Sequence, residues 1–398
     1  MKKVLQISIA VLLLTSGLRV SAQEEFIEPP SQFLTKIPFT QLTGGIVILQ
    51  AKLGDFPDTL NFILDTGSSG ISLDSTTADF LKLKPVATNK TIRGIAGIHT
   101  VPFLYRQRIH FPGLTIDSLD IHVNDYAILT SVYGERIDGI IGYSVLSRYV
   151  LKIDYDSMKI QFFTRGTFRY PRGGYLLKPS LNTLPSNGAR VRDAVTINTR
   201  FLMDIGAGVC VMFSRDFMQD SSLLGRKRKL LTKEGEGVGG KIDMYISVIR
   251  EVKLGPYKFH SVPVYIFDDD FNVTSYPNLA GLIGNDLLRR FNVILNYDKH
   301  EIYITPNSHF DEPFDYAYSG IELYMVDGYI VVGDVAKGSP AEAAGILEGD
   351  IVVAINKNFN QNLNQMKIAL QQANERIKII IRRNGLLHDY DFKIKTIL

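Results

Sequence analysis

The chain has 398 residues, 45% of them apolar and 10% aromatic, and its 44 Lys+Arg against 41 Asp+Glu leave a net charge of only +3. High apolar content with little net charge excludes a disordered chain, and no face-sized basic stripe marks a nucleic-acid binder. The single cysteine, Cys210, excludes an internal disulfide framework or Cys-rich metal site, and the seven histidines lack zinc-ligand spacing. No metal or other cofactor is expected.

In chain order, residues 1–22 have the layout of an export signal. Lys2 and Lys3 precede a short apolar core around Ile7–Leu14, and Val20-Ser21-Ala22 supplies small residues at a cleavage position. That core is short for a bilayer span, and no later segment reaches about 18 unbroken apolar residues. A stable membrane span after signal cleavage is therefore not expected. No cysteine follows the core to carry a lipid, so the expected location is periplasmic or secreted, from a bacterial cell.

Gln23–Lys36 is polar and Pro-bearing, and reads as an N-terminal arm. From Ile37 to about Pro306 the pattern is short β-rich runs broken by Gly, Pro, Asn and Asp. Ile46–Leu49, Leu60–Leu64, Arg108–Phe111, Val150–Asp154, Lys159–Phe163, Ile246–Leu254 and Val293–Tyr297 are the predicted strands. Ser144–Tyr149 and Leu287–Phe291 are short helical exceptions. After a boundary near Pro306–Asp315 the pattern becomes α+β. Strands at Tyr329–Asp334 and Ile351–Ile355 precede an amphipathic helix at Asn364–Asn374. Paired strands Ile377–Arg382 and Asp389–Ile394 then flank the Asn384-Gly385 turn.

The β-rich part contains an internal repeat. Phe62-Ile63-Leu64-Asp65-Thr66-Gly67-Ser68 matches Phe201-Leu202-Met203-Asp204-Ile205-Gly206-Ala207, and Gly139-Ile140-Ile141-Gly142 matches Gly281-Leu282-Ile283-Gly284. The tails Val145–Tyr155 and Leu287–Tyr297 align as well. Each copy places one Asp directly after an apolar strand and just before a Gly, whose lack of a Cβ permits close backbone approach. If the copies pack about a pseudo-twofold axis, the two carboxyls meet. Two carboxylates at about 3 Å cannot both ionise, so they share a proton, one acting as base on a water and the other as acid.

At these residues the sequence resembles the pepsin-like and retropepsin-like aspartic proteases, especially exported bacterial members with a C-terminal PDZ domain. The resemblance covers roughly Ile37 to Leu398. It implies a mainly β, two-lobed pseudo-twofold fold of acid-protease barrels, with lobes at 37–180 and 181–310, and an α+β PDZ domain at 311–398. It further implies a polypeptide substrate, with Asp65 and Asp204 as the catalytic dyad, supported by Thr66, Gly67, Ser68 and Gly206. The implied activity is aspartic-type endopeptidase; a catalytically weak peptide-binding scaffold is the alternative. Ile205 and Ala207 depart from the family's hydroxyl-bearing pattern. With fewer donors, Asp204 is expected to hold the shared proton and Asp65 to be the more acidic partner.

Family members cover the cleft with a glycine-containing hairpin. Gly94-Ile95-Ala96-Gly97 is the first candidate and Gly237-Val238-Gly239, within Gly235–Gly240, the second, so two flaps are expected. No tyrosine lies at Gly94–Thr100. Gly338–Ile351 resembles the core of a bacterial PDZ domain, with Pro340 opening a short helix and Gly345 ending it. PDZ domains add an extended peptide to a sheet edge. The implied peptide-binding loop is Gly320-Ile321-Glu322-Leu323, with the Asn364–Asn374 helix as the opposite wall. Arg226–Lys229 and Asp268–Asp270 are read as surface loops, and Cys210 as a core thiol.

Overall fold

The structure, a computed structural model, describes residues 27–181 and 183–398. The predicted export segment and the first residues of the arm lie outside them. The protein is mainly β, with two lobes that each close a six-stranded barrel. The first ring runs Val47–Leu53, Leu60–Leu64, Gly139–Ile141, Ile71–Asp74, Leu114–Asn124 and Phe103–Phe111, the last pairing back to the first. The second runs Pro185–Arg192, Thr196–Asp204, Gly281–Gly284, Val211–Ser214, Tyr257–Phe267 and Gly240–Leu254, and closes in the same way.

The apolar strands that end in Asp are buried on both faces. In Leu60–Leu64, Leu60, Phe62 and Leu64 join the main core while Ile63 packs into a second cluster. Phe201 and Met203 likewise face the main core, and Leu202 points the other way. Two-sided burial explains why both strands read as unbroken apolar runs.

A six-stranded sheet joins the lobes, in the order Phe33–Pro38, Lys159–Phe163, Val150–Asp154, Phe291–Asn296, Glu301–Pro306, Tyr175–Leu177. At its centre two repeat-equivalent strands pair antiparallel, Val150 opposite Asn296 and Ile153 opposite Val293. This pairing fixes the pseudo-twofold arrangement. Phe33–Lys36, the end of the predicted N-terminal arm, lies in the sheet's edge strand, because Ile37 and Thr35 find buried places against the Lys159–Phe163 strand.

The C-terminal module has its own core around Leu323, Ile330, Val332, Met366, Ile377 and Ile381. Its five-stranded sheet runs Ile321–Val326, Tyr329–Val335, Ile351–Ile355, Arg376–Arg383, Leu386–Lys393. Ser339 caps the Pro340–Ala344 helix through Glu342 N (3.1 Å), and Gly345 ends it at φ 92°. The second helix spans Leu363–Ala369 and is shorter than the predicted Asn364–Asn374. Asn374 takes a left-handed conformation (φ 68°) and its amide bonds Ile394 O at 3.0 Å, which turns the chain into the next strand.

Candidate active site

The two Asp-ending strands deliver their carboxyls to the floor of a cleft between the lobes, and each is seated by the same device. The amide of Gly67 donates to Asp65 Oδ1 at 2.6 Å, and that of Gly206 to Asp204 Oδ1 at 2.8 Å. The loops also interlock. A Cβ on Gly67 would stand 2.5 Å from Asp204 Oδ2, and one on Gly206 would run into the Asp65 carboxyl. Glycine is required at both positions because the partner carboxyl occupies the side-chain space.

Beneath each loop passes an apolar-apolar-Gly strand. Gly139–Ile141 lies parallel to Phe62–Leu64 and antiparallel to Ile71–Leu73; Gly281–Ile283 lies between Phe201–Met203 and Val211–Phe213 in the same way. Tyr143 N bonds Ser68 O (2.9 Å), and its counterpart Asn285 N bonds Ala207 O (2.7 Å). These ties hold the loops by backbone alone, which is why Ala207 can stand opposite Ser68.

The side-chain brace across the lobes is one-sided. Thr66 Oγ1 donates to Met203 O (2.7 Å) and accepts from Ile205 N (2.9 Å). Ile205 has no hydroxyl to return the bond and is buried in the core instead.

Burial, then the charge of Asp204, raises the Asp65 carboxyl well above the usual range. Burial raises Asp204 too, but amides of Gly206, Ala207 and Gly67 favour its charged form. Asp65 receives such help from two amides, Gly67 and Ser68. Both carboxyls are thus raised, chiefly by burial, and the pair holds one proton between them.

Both predicted hairpins are present and meet tip to tip over the dyad. Thr91–Gly94 pairs with Gly97–Thr100, and Leu231–Gly237 with the start of Gly240–Leu254. Ala96 N lies 3.4 Å from Val238 O, and Gly94 and Gly237 pack against Val238 and Ile95 of the opposite tip. Gly239 abuts Gly97 N.

Of the predicted peptide-binding loop, Gly320 is a turn residue (φ 78°), whereas Ile321, Glu322 and Leu323 already lie in the module's edge strand. The correction has a simple cause: Ile321 and Leu323 are core residues whose burial requires the strand to start there.

Three residues that sequence reasoning missed face the same cavity: Tyr133, Lys233 and Lys367. Tyr133 ends the Ala127–Tyr133 helix, whose β-branched and aromatic residues gave no helical signal. Lys233, on the second flap, pairs with Glu322 at 2.9 Å. Arg228 of the basic run turns inward to the buried Asp193 (2.5 Å), and Asp269 organises its own loop through the amides of Val273 and Thr274. Cys210 is buried, its thiol 2.9 Å from Asp286 Oδ2. Among the described residues no helix is long and apolar enough to cross a membrane.

Paired carboxyls on twin Asp-x-Gly loops beneath two hairpins form the arrangement that the resemblance to aspartic proteases implies. Residues 49–145 and 188–287 match the aspartyl protease family, and residues 331–383 match the PDZ domain family. The chain carries an aspartyl protease domain followed by a PDZ domain. No curated protein matches it.

Proposed function

We propose that the protein is an exported aspartic endopeptidase in which Asp65 and Asp204 activate water against a peptide carbonyl. The interlocking of the two carboxyls with the opposite loop's glycine carries this reading. With Asp65 protonated and Asp204 charged, Asp204 takes a proton from the water as its oxygen bonds the carbonyl carbon. Asp65 gives its proton to the carbonyl oxygen. The tetrahedral diol then collapses: Asp204 gives its proton to the nitrogen, the C–N bond breaks to release the amine, and one diol hydroxyl returns its proton to Asp65 as the new C=O forms. One proton remains shared, so the site is ready again.

The two hairpins close over the bound chain and exclude water from it. The one-sided brace at Ile205 supports a second reading, a slow enzyme or peptide-binding scaffold of the same fold. Hydrolysis of a peptide library by the full chain from pH 3 to 8, beside Asp65→Asn and with a statine-type transition-state inhibitor, separates the two. An endopeptidase loses cleavage in the variant and under the inhibitor. Peptide binding without cleavage at any pH would leave the scaffold. The export half of the proposal rests on the 1–22 pattern and is tested by N-terminal sequencing of protein recovered outside the cytoplasm.

A further inference from the structure

We propose that the PDZ module anchors the second flap, with Tyr324 as a positioning residue that holds this flap over the dyad while the first flap alone opens to admit substrate. The catalytic side of this proposal rests on the endopeptidase reading above; the anchoring itself does not.

The two flaps are built differently. The first, Thr91–Thr100, is a two-stranded sheet of its own, separate from the barrel. Among the described residues, its only hydrogen bond to the second lobe away from the tip is from the exposed Arg93 Nη1 to Asn272 O, at 3.2 Å. The strands of the second flap, Leu231–Gly237 and the start of Gly240–Leu254, belong instead to the eight-stranded sheet of the second lobe. A row of contacts ties them to the PDZ module. At the root, Leu231 packs with Tyr318, Ala336 and Ile397. The Tyr318 hydroxyl donates to Thr232 O (3.0 Å), Lys233 pairs with Glu322 (2.9 Å), and the Tyr324 hydroxyl donates to Glu234 Oε1 (2.6 Å). Lys241, on the returning strand, lies over the Tyr324 ring at 4.4 Å and pairs with Glu234 at 2.7 Å. Gly333 leaves room for that ring, since a Cβ there would run into it. The module is tied to the first lobe as well, where Ser131 Oγ donates to Met325 O (2.8 Å) and Lys367 Nζ to Val132 O (2.7 Å). The second flap is thereby braced against the body of the first lobe.

The clamp carries a proton. The Tyr324 hydroxyl has one hydrogen, yet Glu236 reaches the same oxygen as Glu234. Both contacts are hydrogen bonds only when one carboxyl is protonated and donates to the tyrosine oxygen. Glu234 is neutralised by Lys241, whereas Glu236 is in no ion pair among the described residues, so Glu236 is the one that holds the proton. It is faced by Glu322, Lys233, Lys367 and Tyr133, and Asp334 faces Glu234. Burial and then the charge of Glu322 raise the Glu236 carboxyl, outweighing the two lysines. The clamp is complete below that raised value and loses a bond as pH rises through it.

Amide hydrogen exchange of the full-length Asp65→Asn protein, corrected for intrinsic rates and read by mass spectrometry, tests the anchor without turnover. Residues 231–237 are expected to be at least about tenfold more protected than 91–100. Equal protection of the two flaps overturns the proposal. Adding Tyr324→Phe should lower protection of 231–237 by about tenfold and leave 91–100 and the module strand 376–383 unchanged; an unaltered second flap overturns the role of Tyr324. Between about pH 4 and 8 that protection should fall, and Glu236→Gln, whose amide donates at every pH, should hold it level. A fall that survives Glu236→Gln overturns the protonated clamp. With the dyad intact, Tyr324→Phe should lower kcat/KM by about tenfold at acid pH and by less where Glu236 is ionised, and an unchanged kcat/KM overturns its positioning role. A clamped second flap in a chain that hydrolyses no peptide would instead sink the endopeptidase reading and leave the anchor standing.

Discussion

The two lobes solve one structural problem with different chemistry. In the first, the strand beneath the Asp65 loop is preceded by Asp138, 2% exposed, which accepts from Asn61 N (2.8 Å) and Thr77 Oγ1 (2.7 Å) and pairs with Arg136 (2.7 Å). Asp74 adds bonds to Thr77 N and Tyr126 N. In the second lobe the equivalent places hold Ala280, Phe217 and Ser214. There Phe217 stacks on Phe213 and the helix is pinned by apolar contact and one Ser214 cap. A polar network is directional and unforgiving, whereas an apolar contact tolerates repacking. The first lobe is therefore the more sharply positioned half, and it carries the intact Asp-Thr-Gly-Ser loop. The second lobe keeps its aspartate by backbone bonds and borrows its side-chain brace from Thr66.

The largest test of this asymmetry is at the dyad itself. Asp65→Asn and Asp204→Asn should each reduce kcat/KM by at least about a thousandfold, measured on the same peptide. Their pH dependence should differ. Asp65 is raised when folded, so the native state binds the extra proton between the unfolded carboxyl pKa and the raised one. Its stabilising contribution is full below the unfolded value and is lost as pH rises through the folded value. Melting temperature of the wild type should therefore fall across that window, and Asp65→Asn should flatten the fall more than Asp204→Asn. Equal flattening by both would put the proton evenly on the pair.

Stability should separate the lobes next. Asp138→Ala strands Asn61 N, the Thr77 hydroxyl and Arg136 together, at a cost of roughly 3 kcal/mol by denaturant unfolding. Ala280→Ser on the other side adds a hydroxyl with no network to join, and costs about 1 kcal/mol. A reversed order would mean that the polar network is not what positions the first lobe.

How much of this was legible in the residues depended on range. The repeat, the two Asp loops and the two hairpins are local patterns, and each copy checks the other. The barrels follow because the Asp-ending strands are apolar on both faces. The docking of the PDZ module was not legible: Lys367, Ser131 and Lys233 are ordinary surface types whose partners lie 80 or more residues away in sequence.

The flaps give a smaller contrast. A Cβ on Gly94 would collide with the backbone of Val238, which cannot yield without moving the tip. A Cβ on Gly237 would meet only Ile95 Cγ2 at 2.7 Å, the end of a side chain that can rotate. Gly94→Ala should then lower kcat/KM by about tenfold, and Gly237→Ala by about twofold. Similar losses would show that the tips part readily in solution.

The subtlest contrast is at the brace. Ile205→Thr offers the second lobe the hydroxyl it lacks, aimed by symmetry at Leu64 O as Thr66 is aimed at Met203 O. The substitution gives up buried apolar surface and places a hydroxyl in a core, each worth about 1 kcal/mol or more, and gains at most two hydrogen bonds of about 1 kcal/mol each. Net stability should change by less than about 1 kcal/mol, so the single variant is uninformative by itself. The pair with Thr66 is the informative quantity. If the two hydroxyls form one cross-lobe network, Ile205→Thr should soften the loss caused by Thr66→Val, with a coupling energy of about 0.5–1 kcal/mol in a double-mutant cycle. Additive effects would mean that the Ile205 side remains held by apolar packing alone and that the brace is one-sided by construction.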